Sequence, residues 1–505
     1  MTIGRSQRAP DCRLRRLRFH ADAGLLPEAG RTGAGYWLFG PRPSRAPAGD
    51  IGHSAVRPEL RSPWPVPDPP AQQIPNGPAL IHNLSACGAK IRHVTSVLFP
   101  RHIRRDLVEA LSETRAVALL GARQVGKSTL ADIVEKEYPA RLISLDDGAT
   151  ASAARADPTG FVADIAGPVA IDEIQRAPEL LLAIKQRLDA DQSRGQFLLT
   201  GSANILALPT VADALPGRVE YLTLWPFSQG ELHRVQETFI DGLFDGRVPK
   251  LSGMPVGRAA AAPMLVTGGY PEVQARSARG RTRFFASYVA SIIGRDLDDV
   301  ANVRNVENIE RLLFMIAARS GGLTSFHGIG GDLGLDANTV RAHTKILEDL
   351  FLVRQLKPWH VNLGSRQIKS SKLYIVDSGF LAYLIGANEQ RIVDDGAVAG
   401  TMLESFVAME LLRQADWTEH PVQLFHYRDK QQREVDVVLE RHDGDVAGVE
   451  IKASATPATN DFAGLRYLRD KLGDRFRSGV VLHTGADTLP FGDRLAAVPV
   501  AGLWT

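Results

Sequence analysis

Between residues 98 and 224, short apolar runs alternate with stretches of helical periodicity. After Pro100, the residues Ile103, Leu107, Ala110 and Leu111 recur on one helix face. The runs AVALL (116–120), RLISL (141–145), PVAID (168–172), QFLLT (196–200) and VEYLTL (219–224) have strand length, and helix-length segments separate them. That alternation predicts a parallel α/β sheet. Further on, residues 306–350 return to helical spacing. Gly334 falls in a turn between two helices, Asp336 is placed to cap the second, and LVRQL opens a strand, which is a winged-helix outline. GTMLESFVAMELL (400–412) reads as an amphipathic helix. The strands QLFHYRD, REVDVVLE and VAGVEIK follow, the last two joined through residues 441–445 as a hairpin.

The first 93 residues follow neither pattern. They hold 13 of the 30 prolines, both cysteines (Cys12 and Cys87), and 13 Lys or Arg against 6 Asp or Glu. This segment is net +7 and the remainder net −5, an asymmetry hidden by the overall charge of +2. Proline-rich stretches such as RSPWPVPDPP (61–70) remove backbone donors and favour extended chain, so a disordered leader is expected over residues 1–95. The rest of the chain contains no cysteine, which excludes a disulfide framework, a thiolate metal site and a thiol nucleophile there. The longest apolar runs break at Gly121 or Asp164, well short of a spanning helix. A cytoplasmic protein with no membrane partner is expected.

Gly121-Ala122-Arg123-Gln124-Val125-Gly126-Lys127-Ser128, continuing into Thr129, matches the G-x-x-x-x-G-K-[ST] phosphate-binding loop in full. A five-residue apolar strand precedes it and a helix follows. The glycines permit a tight loop whose amides surround phosphate, and the helix N-terminus adds positive potential. In that setting Lys127 would meet the β- and γ-phosphates of ATP, and the Ser128 hydroxyl would ligate Mg²⁺.

PVAIDEIQ places Asp172 at the end of a buried strand, where it can orient the Mg²⁺ shell. Glu173 follows and can polarise the attacking water. The strand after that ends in Thr200-Gly201-Ser202, making Thr200 and Ser202 sensor candidates for the γ-phosphate or water. Arg218 is the candidate cationic trigger, acting in cis or from a neighbouring subunit.

GARQVGKSTL, SLDD, AIDEIQRAPELL, FLLTGSAN and LPGRVEYLTLWPFSQGE resemble the core of the bacterial and archaeal AAA-type P-loop ATPases that carry a C-terminal domain of unknown function. TGGYPEV (267–273), SYVASIIGRDL (287–297) and KLYIVDSGFLAYLIG (372–386) extend the resemblance over about residues 98–485. One departure is the sensor position, where better-studied AAA proteins often carry Asn and this chain reads Thr-Gly-Ser. The resemblance implies an ATP-binding Mg²⁺-dependent ATPase. It also gives a layout: an AAA-type domain at 96–235, a helical lid or connector at 236–300, a winged-helix-like region at 301–362 and an α+β restriction-endonuclease-like domain at 363–505. Such ATPases often form rings; here a homo-oligomer, a dimer and a monomer all stay open.

The second helix of the winged-helix outline offers Arg341, His343 and Lys345, closely followed by Glu348 and Asp349. Phosphate contacts dominate affinity for duplex DNA, so direct DNA contact competes here with docking of a protein. In the hairpin, Leu439 falls opposite Ala447, which sets Asp436 opposite Glu450 and Glu434 opposite Lys452. Opposed carboxylates need compensation, and a Mg²⁺ or Mn²⁺ ion would supply it. With Glu404 upstream, Asp436, Glu450 and Lys452 resemble a PD-(D/E)xK nuclease core. The resemblance makes Glu404, Asp436 and Glu450 metal ligands and gives Lys452 the nucleophile to position. Glu434-Val435 stands where the Pro-Asp dipeptide would be. Three readings stay open: an active metal site, a degenerate nuclease fold used for binding protein or nucleic acid, and a hairpin whose charges merely pair.

Overall fold

The computed structural model describes residues 99–135, 141–202, 204, 215, 217–296, 306–360 and 370–504. The expected leader, with both cysteines, lies outside them. The first helix, α1 (Arg104–Glu113), buries Leu107, Ala110 and Leu111, the stripe its periodicity marks. Five strands follow: β1 (Ala116–Leu120), β2 (Arg141–Ser144), β3 (Val169–Asp172), β4 (Phe197–Gly201) and β5 (Val219–Thr223). They form one sheet in the order β2-β3-β4-β1-β5, with all four pairings parallel. Every residue of β1, β3 and β4 is buried. Continuous apolar runs therefore make the centre of the sheet, as expected where helices cover both faces.

Between β1 and β2 lies α2 (Lys127–Glu135), and between β3 and β4 lies α3 (Leu180–Ala190). Leu119 pairs with Thr200, Leu120 with Gly201, and Ile171 with Leu199. The carboxyl ends of β1, β3 and β4 thus share one rim, which gathers residues 121–128, Asp172 and Thr200 in one place.

After the sheet come α4 (Arg258–Thr267), α5 (Ala278–Ser291) and α6 (Val306–Ala318). Helices α7 (Phe326–Leu333) and α8 (Ala337–Asp349) meet at Gly334, whose φ of 71° only glycine adopts without strain. Asp336 caps α8 by accepting from the amides of Asn338 and Thr339. Strand β6 (Val353–Pro358) then pairs antiparallel with β7 (Lys372–Ile375).

Beyond β7 run α9 (Ser378–Ile385) and the long α10 (Gly396–Gln414), followed by β8 (Val422–Arg428), β9 (Glu434–Arg441), β10 (Val446–Lys452), β11 (Phe476–His483), β12 (Leu489–Pro490) and β13 (Leu495–Pro499). These join β6 and β7 in one eight-stranded mixed sheet, ordered β12-β13-β11-β10-β9-β8-β6-β7. The expected boundary at 362/363 needs correction. It falls in the connection between β6 and β7, and β6 also pairs with β8 through Lys357–Phe425 and Pro358–His426. The helix-turn-helix strand and the C-terminal strands are one sheet. The expected connector is likewise attached to the chain's last strands, for Gly257 donates to Thr484 O and Thr488 to Leu251 O.

Candidate functional site: a phosphate-loop pocket and a buried acidic cluster

The loop after β1 is set by close backbone approach. A Cβ on Gly121 would lie 2.2 Å from Leu224 O, and Gly126 has φ of 100°. Both positions therefore exclude a side chain. Arg101 braces the outer side of the loop. Its guanidinium donates to Val125 O (2.8 Å), Trp225 O (2.6 Å) and the Glu231 carboxylate (3.0 Å). Sequence reasoning missed this arginine, because nothing local marks a residue that acts on a loop 24 positions away.

Lys127 opens α2 and is nearly buried, with its ammonium folded back onto Gly121 O (2.8 Å) and Ala122 O (2.9 Å). Ser128 Oγ lies 3.1 and 3.0 Å from the two carboxylate oxygens of Asp172. Thr200 donates its hydroxyl to Asp172 Oδ1 and accepts the Glu173 amide at 3.3 Å. Glu173 adopts a left-handed backbone (φ 59°), uncommon for a non-glycine residue, and that bend turns its side chain back along the rim. Gln175 donates to the Glu173 carboxylate and to Ser202 Oγ, and Ser202 donates to Glu173 Oε2 (3.1 Å). The structure thus brings together Lys127, Ser128, Asp172, Glu173, Thr200 and Ser202. Gln175 joins them without having been marked by the sequence.

The pair Ser128 and Asp172 fits a hard divalent cation. Both are oxygen donors, they converge, and an ion that also takes phosphate oxygens and water needs only one or two protein ligands.

Arg218 is a correction. Parallel register sets Ala116 beside Val219 and Leu120 beside Thr223, so Arg218 stands at the opposite edge of the sheet from the loop. Five strand residues separate the two edges, about 16 Å. Its guanidinium forks onto Asp189 at 2.5 and 3.1 Å. A cis trigger at Arg218 is excluded by that placement. The cavity over the loop, about 480 Å³, is closed instead by the segment after α4. Pro271, Glu272, Arg276 and Phe284 face Lys127, Ser128 and Glu173 across it. Arg276 lies over the Phe284 ring at 5.1 Å and pairs with Glu272 at 3.1 Å. It is the pocket's cationic group from outside the loop, and nothing local marks it beyond the neighbouring TGGYPEV run.

The second constellation is built differently from its sequence expectation. β9 and β10 pair in the expected register, Leu439 with Ala447, up to Val437 with Val449. There the ladder ends. The Asp436 carboxylate accepts the Ile451 amide (3.0 Å) in place of the next backbone bond. Lys452 pairs with Glu450 at 2.6 Å, and Glu434 turns away from Lys452. In the middle of the acids sits Lys372, the first residue of β7 and only 2% exposed. Its ammonium contacts Glu404 Oε1 (2.8 Å), Glu434 Oε1 (2.8 Å) and Asp436 Oδ1 (3.1 Å). Tyr374 donates to Glu404 Oε1 at 2.9 Å.

Burial opposes the charge on Lys372, yet Asp436, Glu404 and Glu434 together hold its ammonium well above the usual lysine range. Burial and the charge of Asp436 push the Glu404 carboxyl to about 7 and that of Glu450 to about 8, with Lys372 and Lys452 respectively pulling back. Among the described residues, no group of three or more His, Cys, Asp or Glu side chains is arranged to hold a metal ion.

Residues 113–233 match the family model described as AAA domain. This segment has the fold of an AAA-type P-loop domain. Two further models, each described as a domain of unknown function, match residues 260–391 (DUF8612) and 399–503 (DUF4143). Uncharacterized proteins of Mycobacterium tuberculosis and Mycobacterium bovis are 29% identical over 426 residues, 84% of this chain and 88% of theirs. Among solved structures, the Walker-type ATPase of Pyrococcus abyssi is similar at 18% identity and a TM-score of 0.37, covering 57% of this chain and 96% of its own. The Thermotoga maritima RuvB Holliday junction branch migration motor is similar at 18% identity and a TM-score of 0.25, covering 51% and 90%. No helix among the described residues is long and apolar enough to cross a membrane.

Polar contacts join the segments around this rim to the rest of the chain. Asn204, just past β4, donates its amide to Asp349 O (2.7 Å) and its side chain to Asp349 Oδ1 (3.0 Å), at the end of α8. Gly269, next to the pocket residues Pro271 and Glu272, donates to Asp377 Oδ2 (2.6 Å). Gln229 donates to Glu410 Oε2 (3.0 Å). Between these two carboxylates lies Arg413, bonded to Glu410 (2.5 Å) and Val376 O (3.0 Å) and 3.9 Å from Asp377.

Proposed function

We propose that the chain is a Mg²⁺-dependent ATPase whose nucleotide state governs its C-terminal module. The observation that carries this reading is the convergence of Lys127, Ser128, Asp172 and Glu173 on one rim beneath a cavity. In it, the loop amides from Gly121 to Thr129 hold the phosphates, and Lys127 trades its two carbonyl partners for phosphate oxygens. Ser128 and Asp172 hold the cation, which when bound neutralises charge on the transferred phosphoryl group. Glu173, steadied by Gln175 and Ser202, orients water. Arg276 supplies positive charge from across the cavity, the part first given to Arg218. Asn204 and Gly269 are the points at which a change at the rim reaches α8 and α10.

For the module, we favour a switch that binds a client without cutting it. Two observations support this over a metal-dependent DNA nuclease. Lys372 fills the acidic cluster, and the cations of α8 are engaged within the chain: Lys345 with Asp349 (2.9 Å), Arg341 with Asn338 (3.3 Å) and the Phe326 ring. Free cations are what phosphate contacts need.

Turnover of ATP by the purified chain, with Lys127→Ala beside it, tests the engine; unchanged hydrolysis in the variant overturns the reading. Nucleotide-dependent capture from lysate, with and without nuclease treatment, separates nucleic-acid from protein clients. Nicking of plasmid with Mn²⁺ that Asp436→Ala abolishes would favour the nuclease instead.

A further inference from the structure

The acidic cluster of the C-terminal sheet already contains a cation. Three carboxylates from two elements, Glu404 of α10 and Glu434 and Asp436 of β9, point one oxygen each at Lys372 Nζ, at 2.8, 2.8 and 3.1 Å. Those are ammonium distances, whereas Mg²⁺ or Mn²⁺ would draw oxygens to about 2.0–2.2 Å. The lysine is held there by its backbone. Lys372 pairs with Leu356 of β6 on one side and with Leu323 on the other. Gly321, with φ of 80°, brings the covering turn so close that a Cβ on it would lie 2.9 Å from Glu404 Oε1.

Little else in the cluster is left to bind an ion. Asp436 uses one oxygen on Lys372 and the other on the Ile451 amide. Glu434 uses its second oxygen on Arg428 (3.4 Å). Glu450, 7% exposed, pairs with Lys452 through one oxygen (2.6 Å), and its buried Oε2 accepts no hydrogen bond.

We propose that Lys372 is the resident cation of this cluster, occupying the position a hard divalent ion would take among Glu404, Glu434 and Asp436, and that removing its ammonium opens a Mg²⁺/Mn²⁺ site there. The chain therefore folds with this site closed. The inference concerns the C-terminal sheet alone and does not depend on ATP hydrolysis, so the fate of Lys127→Ala leaves it untouched.

The test is uptake of Mn²⁺ by the full chain without nucleotide, read from the electron paramagnetic resonance signal of the free ion. Wild type, Asp436→Asn, Lys372→Met and Lys372→Met/Asp436→Asn are compared, so any ion held by the phosphate loop is common to all four. Wild type and Asp436→Asn are expected to take up the same amount. Lys372→Met is expected to take up one more ion per chain, and the double variant to lose it. A folded Lys372→Met with no added ion overturns the proposal. If Lys372→Met does not fold, wild type against Asp436→Asn and Glu404→Gln still decides: an ion in the wild type that either carboxylate variant removes overturns the proposal, and equal uptake supports it.

Discussion

Arg413 is the residue whose loss is expected to reach furthest. It is 4% exposed and stands between two carboxylates, Glu410 and Asp377, that are 0% and 1% exposed. Each carboxylate also holds a backbone amide of a distant segment, Gln229 or Gly269. In Arg413→Leu both acids stay buried without their counter-charge. Removing one partner of such a pair costs about 3–5 kcal/mol, far more than any exposed pair contributes. The loss has a pH signature. Burial pushes Glu410 up to about 7 and raises Asp377 as well, with Arg413 opposing both shifts. A carboxyl whose folded value is raised gives stability that is complete below its unfolded value of about 4.5 and lost as pH rises through the folded value. Without the guanidinium that window moves higher. The penalty in the variant is expected to be largest near pH 8 and to shrink toward pH 5.5.

Thermal unfolding at the two pH values measures the loss, and amide hydrogen exchange at Gln229 and Gly269 locates it. A second substitution, Arg413→Leu/Glu410→Gln, removes one stranded charge and is expected to recover roughly 1–2 kcal/mol at pH 8. A loss that is equal at both pH values would refute the assignment of a charge-pairing role, as would unchanged exchange at the two amides.

Two other expectations are simpler. Arg276→Ala is expected to lower ATP turnover by about tenfold or more, whereas Arg218→Ala, which loses a surface pair with Asp189, should stay within about threefold of wild type; the reverse result would restore Arg218 as the trigger. Glu450→Gln is expected to flatten the pH dependence of stability. The wild-type carboxyl, raised to about 8, loses its contribution as pH climbs from about 4.5 through 8. The variant should therefore gain on the order of 1–3 kcal/mol relative to wild type at pH 9 and nothing at pH 5, as read from thermal melts.

The parts legible in the sequence were those written in contiguous residues. Five apolar runs gave five strands within a residue or two of their ends. The loop motif, Asp172 after its strand, and Asp336 after Gly334 are local statements about backbone and neighbours. Hairpin register was legible too, because loop length fixes which residues oppose, but only as far as Val437 and Val449. Past that point the strands part, and Asp436 bonds a backbone amide that no pairing rule anticipates. Lys372, Arg276, Arg101 and Arg413 were not legible. Arg101, Lys372 and Arg413 act on residues 24 to 130 positions distant, Arg276 closes a cavity from another element, and a lysine opening a strand looks the same whether it meets solvent or three carboxylates. Arg218 directly precedes β5, so in an all-parallel sheet it lies at the end opposite the loop that follows β1.

The two buried charged clusters have a common frame, and that frame limits how a signal could travel. β7 begins with Lys372 and is followed at once by Asp377; α10 carries Glu404 at its middle and Glu410 and Arg413 near its end. Five extended residues span about 16 Å, and nine helical ones about 14 Å. One strand and one helix therefore hold the contact to Gly269 at one end and the lysine-filled cluster at the other. Both elements are packed into the main apolar core, and close-packed interiors shift between discrete arrangements instead of stretching. A displacement of Gly269 by the pocket above it would then move β7 and α10 as a unit, carrying Lys372 and Glu404 together relative to Asp436 on β9. The seam that such a motion opens is the one between Lys372 and Asp436, at 3.1 Å the longest of the three contacts the ammonium makes.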